Sequence, residues 1–242
     1  MRPRAVAGVD AEVRLTLTMA ERRREVVRAT PGRVGALAPV FGRAFVEEPM
    51  TLWSLGQRGD VEARLTGAFW CFLEQVLGLG LVWETAGGRG AAVWVPPDRF
   101  EGWAVHPWSH PQIIAVAEDG RRYEAFWDWV GCHHPAQPVW LLDSIAVEPA
   151  AQGRGLGLAL VAAGLALARA DGIGAFLSTG TERNVEVYRR CGFRLAEVAD
   201  APEGGPTIYF MRWDPRSRSP EPTEPIATGQ RVLRRCCGHA AV

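Results

Sequence analysis

The stretch Trp140 to Gly157, WLLDSIAVEPAAQGRGLG, constrains this chain more than any other. Trp140 to Val147 is an apolar, partly β-branched run of strand length. Pro149 ends it, and glycines follow at alternate positions, Gly153, Gly155 and Gly157. Leu158 to Ala170 is then almost all Leu, Ala and Val, which predicts a helix. A strand, a glycine-rich turn and a helix start together make an anion site. Amide N–H groups at the helix start have no partner within the helix, and glycine lets a phosphate approach without meeting a Cβ.

Two better-known phosphate loops fail on spacing. A dinucleotide fingerprint starting at Gly153 requires glycine at 158, where the chain has Leu158. A P-loop requires Gly-Lys-Ser/Thr, and the sequence contains no lysine. What remains is Gln152-x-x-Gly155-x-Gly157, preceded by Ala146-Val147-x-Pro149. A glycine turn that only packs a helix onto a sheet is the plain structural alternative. A second motif, Asn184-x-x-x-Tyr188-x-x-x-Gly192-Phe193, follows on a predicted helix over Glu182 to Arg190. Its Asn and Tyr share one helix face. Taken alone they read as a capping residue and a packing tyrosine.

Together the two motifs resemble the GNAT superfamily of acetyltransferases, whose loop cradles the pyrophosphate of acetyl-CoA. Within it the chain resembles the puromycin N-acetyltransferase group, through His133 to Leu141, Phe176-Leu177-x-Thr179 and Tyr188-x-x-x-Gly192-Phe193. The resemblance covers Val26 to Trp213 in element order and is motif-specific from Pro138 to Phe193. It implies a mixed α/β fold of α+β type, a mixed central sheet with splayed middle strands and flanking helices. It implies acetyl-CoA as acyl donor, in a V-shaped opening between the two central strands. The pantetheine arm would pair with the backbone of Ile145, Ala146 and Val147. The amides of Gln152, Gly153, Arg154, Gly155, Leu156 and Gly157 would hold the pyrophosphate, with a charge-assisted contact from Arg154. Asn184 would flank the thioester end, and Tyr188 would be the general acid.

Composition bounds the partners. Formal net charge is zero, from 27 acidic and 27 basic residues, so no global field draws the chain to nucleic acid or an anionic membrane. No uncharged run approaches the ~20 residues of a membrane span. Asp10, Glu12 and Arg14 break any signal-peptide core. Five cysteines without framework spacing point to a reducing, cytoplasmic setting. Cys132-His133-His134 invites a metal, but adjacent residues rarely converge on one ion, so none is expected.

Three regions are expected: an N-terminal extension over 1–24, the acetyltransferase domain over 25–213, and a polar, disordered tail over 214–242. Within the domain the predicted order runs through a strand from Glu25 to Thr30, two helices begun at Pro31 and Asp60, and a hairpin (Leu81–Thr85, Ala91–Val95). A helix within Ile113–Val130 comes next. The Trp140 strand and its helix, the strand Ala175–Thr179 and the Glu182 helix follow, then a pair over Phe193–Val198 and Thr207–Trp213. Glu47-Glu48-Pro49 is read as a helix break.

Acetyl transfer to an amine requires removal of a proton. Glu47, Glu48, Glu84, Asp98, His106, His110 and Asp143 are the candidate bases, each also readable as an ordinary surface group. Trp53, Trp103, Trp108, Trp127 and Trp129 read either as core or as the wall of a pocket for a flat acceptor. Cys191 lacks a flanking base, which disfavours an acyl-cysteine route. The sequence points to an enzyme acting on a small-molecule amine by direct transfer in a ternary complex, as a monomer or homodimer. A non-catalytic acyl-CoA-binding module and a protein N-terminal or lysine acetyltransferase are the alternatives.

Overall fold

The computed structural model describes residues 25–100, 103 and 107–216. The expected extension over 1–24 and the tail from 217 onward lie outside them.

Among the described residues seven strands make one sheet: β1 (Val26–Arg28), β2 (Val82–Thr85), β3 (Gly90–Val95), β4 (Trp140–Val147), β5 (Ala175–Thr179), β6 (Arg194–Asp200) and β7 (Thr207–Trp213). Their order is β1-β2-β3-β4-β5-β7-β6. Only the β4–β5 neighbours run parallel. Seven α-helices flank the sheet: α1 (Val34–Ala44), α2 (Pro49–Leu55), α3 (Val61–Gly78), α4 (Pro111–Val116), α5 (Gly120–Cys132), α6 (Leu156–Asp171) and α7 (Glu182–Arg190). This is the mixed architecture that the resemblance implies.

Each face of the sheet buries its own core. Helices α1 to α5 pack on one face through Leu37, Phe41, Phe69, Phe72, Ile113 and Phe126. Helices α6 and α7 pack on the other through Leu160, Val161, Leu165, Val185 and Tyr188. Gly164 is required where α6 meets the sheet. A Cβ there would lie 2.0 Å from the Trp94 ring, whose Nε1 donates to the Leu160 carbonyl at 3.2 Å.

Two elements differ from expectation. Pro49 does not simply end a helix; it opens α2, because proline suits a first helical position and the Glu48 side chain caps the Thr51 amide. The helix expected within Ile113–Val130 is two, divided where Asp119 leaves the helical region and accepts from the Arg121 and Arg122 amides.

Candidate active site

The opening between β4 and β5 comes from how little they pair. Only Trp140↔Ala175 and Leu141↔Phe176 are matched before the strands part. The parting coincides with a bulge on β4. Against β3, Leu142 pairs with Trp94 and Ser144 with Val93, leaving Asp143 as the extra residue. An extra residue reverses the alternation of faces. Trp140 and Leu142 face α6, as do Ile145 and Val147 beyond the bulge. Leu141 and Ala146 face the other way. Beyond Leu141, the β5-facing edge of β4 therefore has no strand partner.

The glycine turn lies at the end of this edge. Gly153 and Gly155 have φ of 74° and 80°, left-handed values that favour glycine, and Gly155 caps α6. Gly157 sits in the first turn of α6, and a Cβ there would meet only Val147 Cγ2, at 3.7 Å. A Cβ on Gly153 would meet nothing within 4 Å. The space before the helix start is thus open. Gln152 Nε2 donates to the Val147 carbonyl at 3.3 Å, so this side chain must move if that carbonyl is to pair with a ligand.

Helix α7 forms the other wall. Thr181 caps it, and Asn184 Nδ2 donates to Thr179 Oγ1 at 3.1 Å, tying α7 to the end of β5. Tyr188 is buried on the same helix, against Phe193. Burial above all pushes its phenol well above the usual range, with Cys191 and Glu48 nearby adding to the shift. Burial also pushes the Cys191 thiol up to about 11, so it stays protonated near neutral pH.

The structure separates the candidate bases. Glu48 reaches the site: its Oε1 accepts from the Gly180 amide at 3.3 Å, and its Oε2 accepts from the Thr51 amide at 2.8 Å and from Thr51 Oγ1 at 3.0 Å. Burial raises its pKa, partly offset by these bonds. Asp143 lies at the bulge, where its Oδ1 accepts from Trp103 Nε1 at 2.9 Å and Trp108 Nε1 at 3.4 Å, and its Oδ2 from Ser144 Oγ at 2.7 Å. Burial raises it too. Glu84 is held by Arg33, 2.8 Å away, on β2. Glu47 and Asp98 are exposed. His110 accepts from the Gln112 amide at the start of α4. His106 lies outside the described residues.

The tryptophans are mainly structural. Trp103 and Trp108 are buried core residues, with Trp108 stacked 4.2 Å from Phe72 and 5.8 Å from Trp127. Trp53, Trp127 and Trp129 are partly buried against the same core. His133 packs on Phe210, and His134 lies between Phe100 and Phe176. Among the described residues no three His, Cys, Asp or Glu side chains cluster as metal ligands, and no helix is long and apolar enough to cross a membrane.

What sequence reasoning missed was which candidate carboxylate reaches the cleft. The available signal was Glu48 directly before Pro49, the pattern of a cap at a helix start.

The sequence pattern of residues 82–193 matches the Acetyltransferase (GNAT) family. Over 102 residues the chain is 38% identical to a mycothiol acetyltransferase of Cellulomonas flavigena, a match covering 38% of this chain and 29% of that protein. The chain thus spans under a third of that relative's length. Among solved structures, a Corynebacterium glutamicum protein described as histone acetyltransferase HPA2 and related acetyltransferase superimposes with a TM-score of 0.59 at 22% identity, over 80% of this chain and 97% of that one. The Drosophila melanogaster polyamine N-acetyltransferase, which forms N-acetylagmatine, superimposes with a TM-score of 0.54 at 15% identity, over 78% and 99%. The splayed parallel pair and the glycine turn at a helix start both lie within residues 82–193, so the segment that carries the GNAT sequence pattern also carries the site's geometry, in a fold shared with these acetyltransferase structures.

Proposed function

We propose that the chain is an acetyl-CoA-dependent N-acetyltransferase, acting in the cytoplasm on the amine of a small molecule by direct transfer in a ternary complex. One observation carries this: the edge of β4 beyond Leu141 has no strand partner and ends at an open, glycine-rich helix start. The residues present fit the donor. The edge from Ile145 to Val147 offers backbone groups to a pantetheine arm, and the turn from Gly153 to Gly157 offers amides to a pyrophosphate, with Arg154 adding charge; the Gln152 amide, expected to join them, already donates to the Pro149 carbonyl at 3.2 Å. Asn184 fixes the start of α7. When bound, the donor supplies an acetyl group activated as a thioester.

The chain's own residues manage the protons. Glu48 is the general base, since burial raises its pKa and so makes its carboxylate the stronger proton acceptor. Asp143, held by two indoles and a hydroxyl at the β4 bulge, is the alternative carboxylate. Tyr188 is the general acid. Its raised pKa keeps the phenol protonated at any working pH but makes full proton transfer to a thiolate uphill, as thiols lie near ~8.5. Its contribution is therefore a hydrogen bond held against the sulfur as charge develops there. The protonated Cys191 has no part in this scheme.

The similar proteins named mycothiol acetyltransferase and polyamine N-acetyltransferase support a small-molecule acceptor, and the resemblance to the puromycin N-acetyltransferase group agrees with it. The test is thiol release from acetyl-CoA against an amine panel containing puromycin-like compounds, polyamines and agmatine. At least one amine should raise the rate far above hydrolysis. Binding of acetyl-CoA with no amine-dependent release would instead identify a binding module.

A further inference from the structure

The two oxygens of Glu48 are held unequally. The residue is the N-cap of α2, in extended conformation, so its side chain folds back over the first turn of that helix. There Oε2 accepts twice from one residue, from the Thr51 amide at 2.8 Å and from Thr51 Oγ1 at 3.0 Å. A carboxylate oxygen offers two lone-pair sites, so Oε2 is fully engaged. Thr51 is itself fixed: it is buried, and its carbonyl accepts from Ser54 Oγ at 3.2 Å. Oε1 has a longer bond, from the Gly180 amide at 3.3 Å. It is the oxygen with room for a proton.

Gly180 makes this arrangement possible from the other side. It follows Thr179, the last residue of β5, at the end where β5 has parted from β4. A Cβ at this position would lie 2.8 Å from Glu48 Oε1 and 3.0 Å from Met50 Cγ. Its φ is not left-handed, so the close approach of the α2 start, rather than backbone conformation, calls for glycine here.

Few titratable groups face this carboxylate. Glu48 contributes to the raised pKa of Tyr188 on α7, which puts the two within electrostatic reach, and Cys191 contributes as well. Phenol and thiol both stay protonated near neutral pH, so neither changes charge where a carboxyl titrates. Glu47, the chain neighbour, is exposed.

We propose that Thr51 and Gly180 are positioning residues for Glu48: Thr51 pins Oε2, and the bare Gly180 backbone seats Oε1 at the parted end of β5 as the oxygen that takes the proton. This rests on the reading of Glu48 as general base. As the acceptor nitrogen bonds the acetyl carbon, its proton passes to Oε1 while both Thr51 bonds to Oε2 stay in place. Those bonds favour the charged carboxylate and oppose the effect of burial. Removing the hydroxyl therefore raises the carboxyl pKa further. Removing the space at Gly180 displaces Oε1, the flexible end of a side chain, and leaves the fold in place.

The experiment follows the Glu48 carboxyl directly, by 13C NMR of the full chain labelled at its glutamate carboxyl carbons, with Glu48→Gln assigning the resonance. Thr51→Val should raise the Glu48 pKa by about half a unit or more, and Thr51→Ser, which keeps the hydroxyl, should restore it. With acetyl-CoA and the fastest amine of the panel, the acidic limb of kcat should move with it, since kcat reports groups in the bound complex. Gly180→Ala should lower kcat by about tenfold or more with KM for acetyl-CoA within about twofold, the mark of a misplaced group. Thermal melts should show each variant folded. The proposal is overturned if the Glu48 pKa is unmoved in folded Thr51→Val, if Thr51→Ser behaves like Thr51→Val, or if Gly180→Ala keeps full kcat. Normal turnover in Glu48→Gln overturns the reading of the base, and the proposal with it. Lost turnover in Glu48→Gln beside an unmoved pKa in Thr51→Val overturns the proposal alone.

Discussion

The two walls of the cleft are made of different material. One wall, β4 with its glycine turn and the start of α6, offers mostly backbone: a strand edge without a strand partner and a glycine turn open to space. The other side is made of side chains, Glu48 from the start of α2 and Asp143 from the β4 bulge, the latter held by the buried Trp103 and Trp108. Backbone sites depend on what is absent, chiefly Cβ atoms and strand partners. Side-chain sites depend on residues brought together from distant parts of the chain.

This contrast makes predictions that can break it. The largest effects should come from single functional groups. Tyr188→Phe should lower kcat by ~10²-fold while KM for acetyl-CoA hardly changes, the lower end of acid catalysis. Glu48→Gln should act similarly and also remove the acidic limb of the pH–rate profile, because only a titrating carboxylate produces it. If turnover survives in both variants, the side-chain half of the contrast is wrong.

Next comes an acid test of the side-chain half. Burial, followed by the adjacent His133, pushes His134 down to about 4. An unfolded histidine titrates near ~6.5. Between these values the unfolded chain binds the extra proton, so stability falls as the pH drops from about 6.5 to about 4, by ~2 kcal/mol at pH 4.5 after allowance for partial exposure. In His134→Phe, which keeps a ring between Phe100 and Phe176, urea melts at pH 7 and 4.5 should lose that share of the difference. An unchanged pH dependence would mean that carboxylates alone set it.

The backbone half is tested by adding atoms rather than removing them. Gly157→Val should weaken acetyl-CoA binding by more than tenfold, ~1.4 kcal/mol, without unfolding the chain, since its Cβ meets only Val147 in the free protein. Position 155 is less informative, because its left-handed φ strains any replacement. Gln152→Ala should be the mildest change, within about threefold by calorimetry, since its amide already donates to the Pro149 carbonyl and its side chain only to that of Val147. A large loss there would return the phosphate site to side-chain chemistry.

The same contrast explains what the sequence made legible. Strands Trp140–Val147, Ala175–Thr179 and Thr207–Trp213 and helix Glu182–Arg190 have the expected bounds, because each is compact and bounded by Gly, Pro or a cap. The glycine turn was readable because a backbone site needs only local spacing. Glu48 was one candidate among several, since its contact with Gly180 spans 132 positions and leaves no local pattern. The bulge at Asp143 was hidden as well. WLLDSIAV is apolar on both faces, so a change in the alternation of faces cannot be seen in it.

The thin seam between β4 and β5 has a further consequence. Two residue pairs join these strands, against six between β3 and β4 and five between β5 and β7. The sheet is in effect two half-sheets meeting at a narrow hinge, with the helices on either face bridging the gap. A ligand that pairs with the free edge of β4 would act as a temporary strand and couple the halves. Occupancy would then set the mechanical stiffness of the domain: supple when empty, rigid only while both walls are engaged.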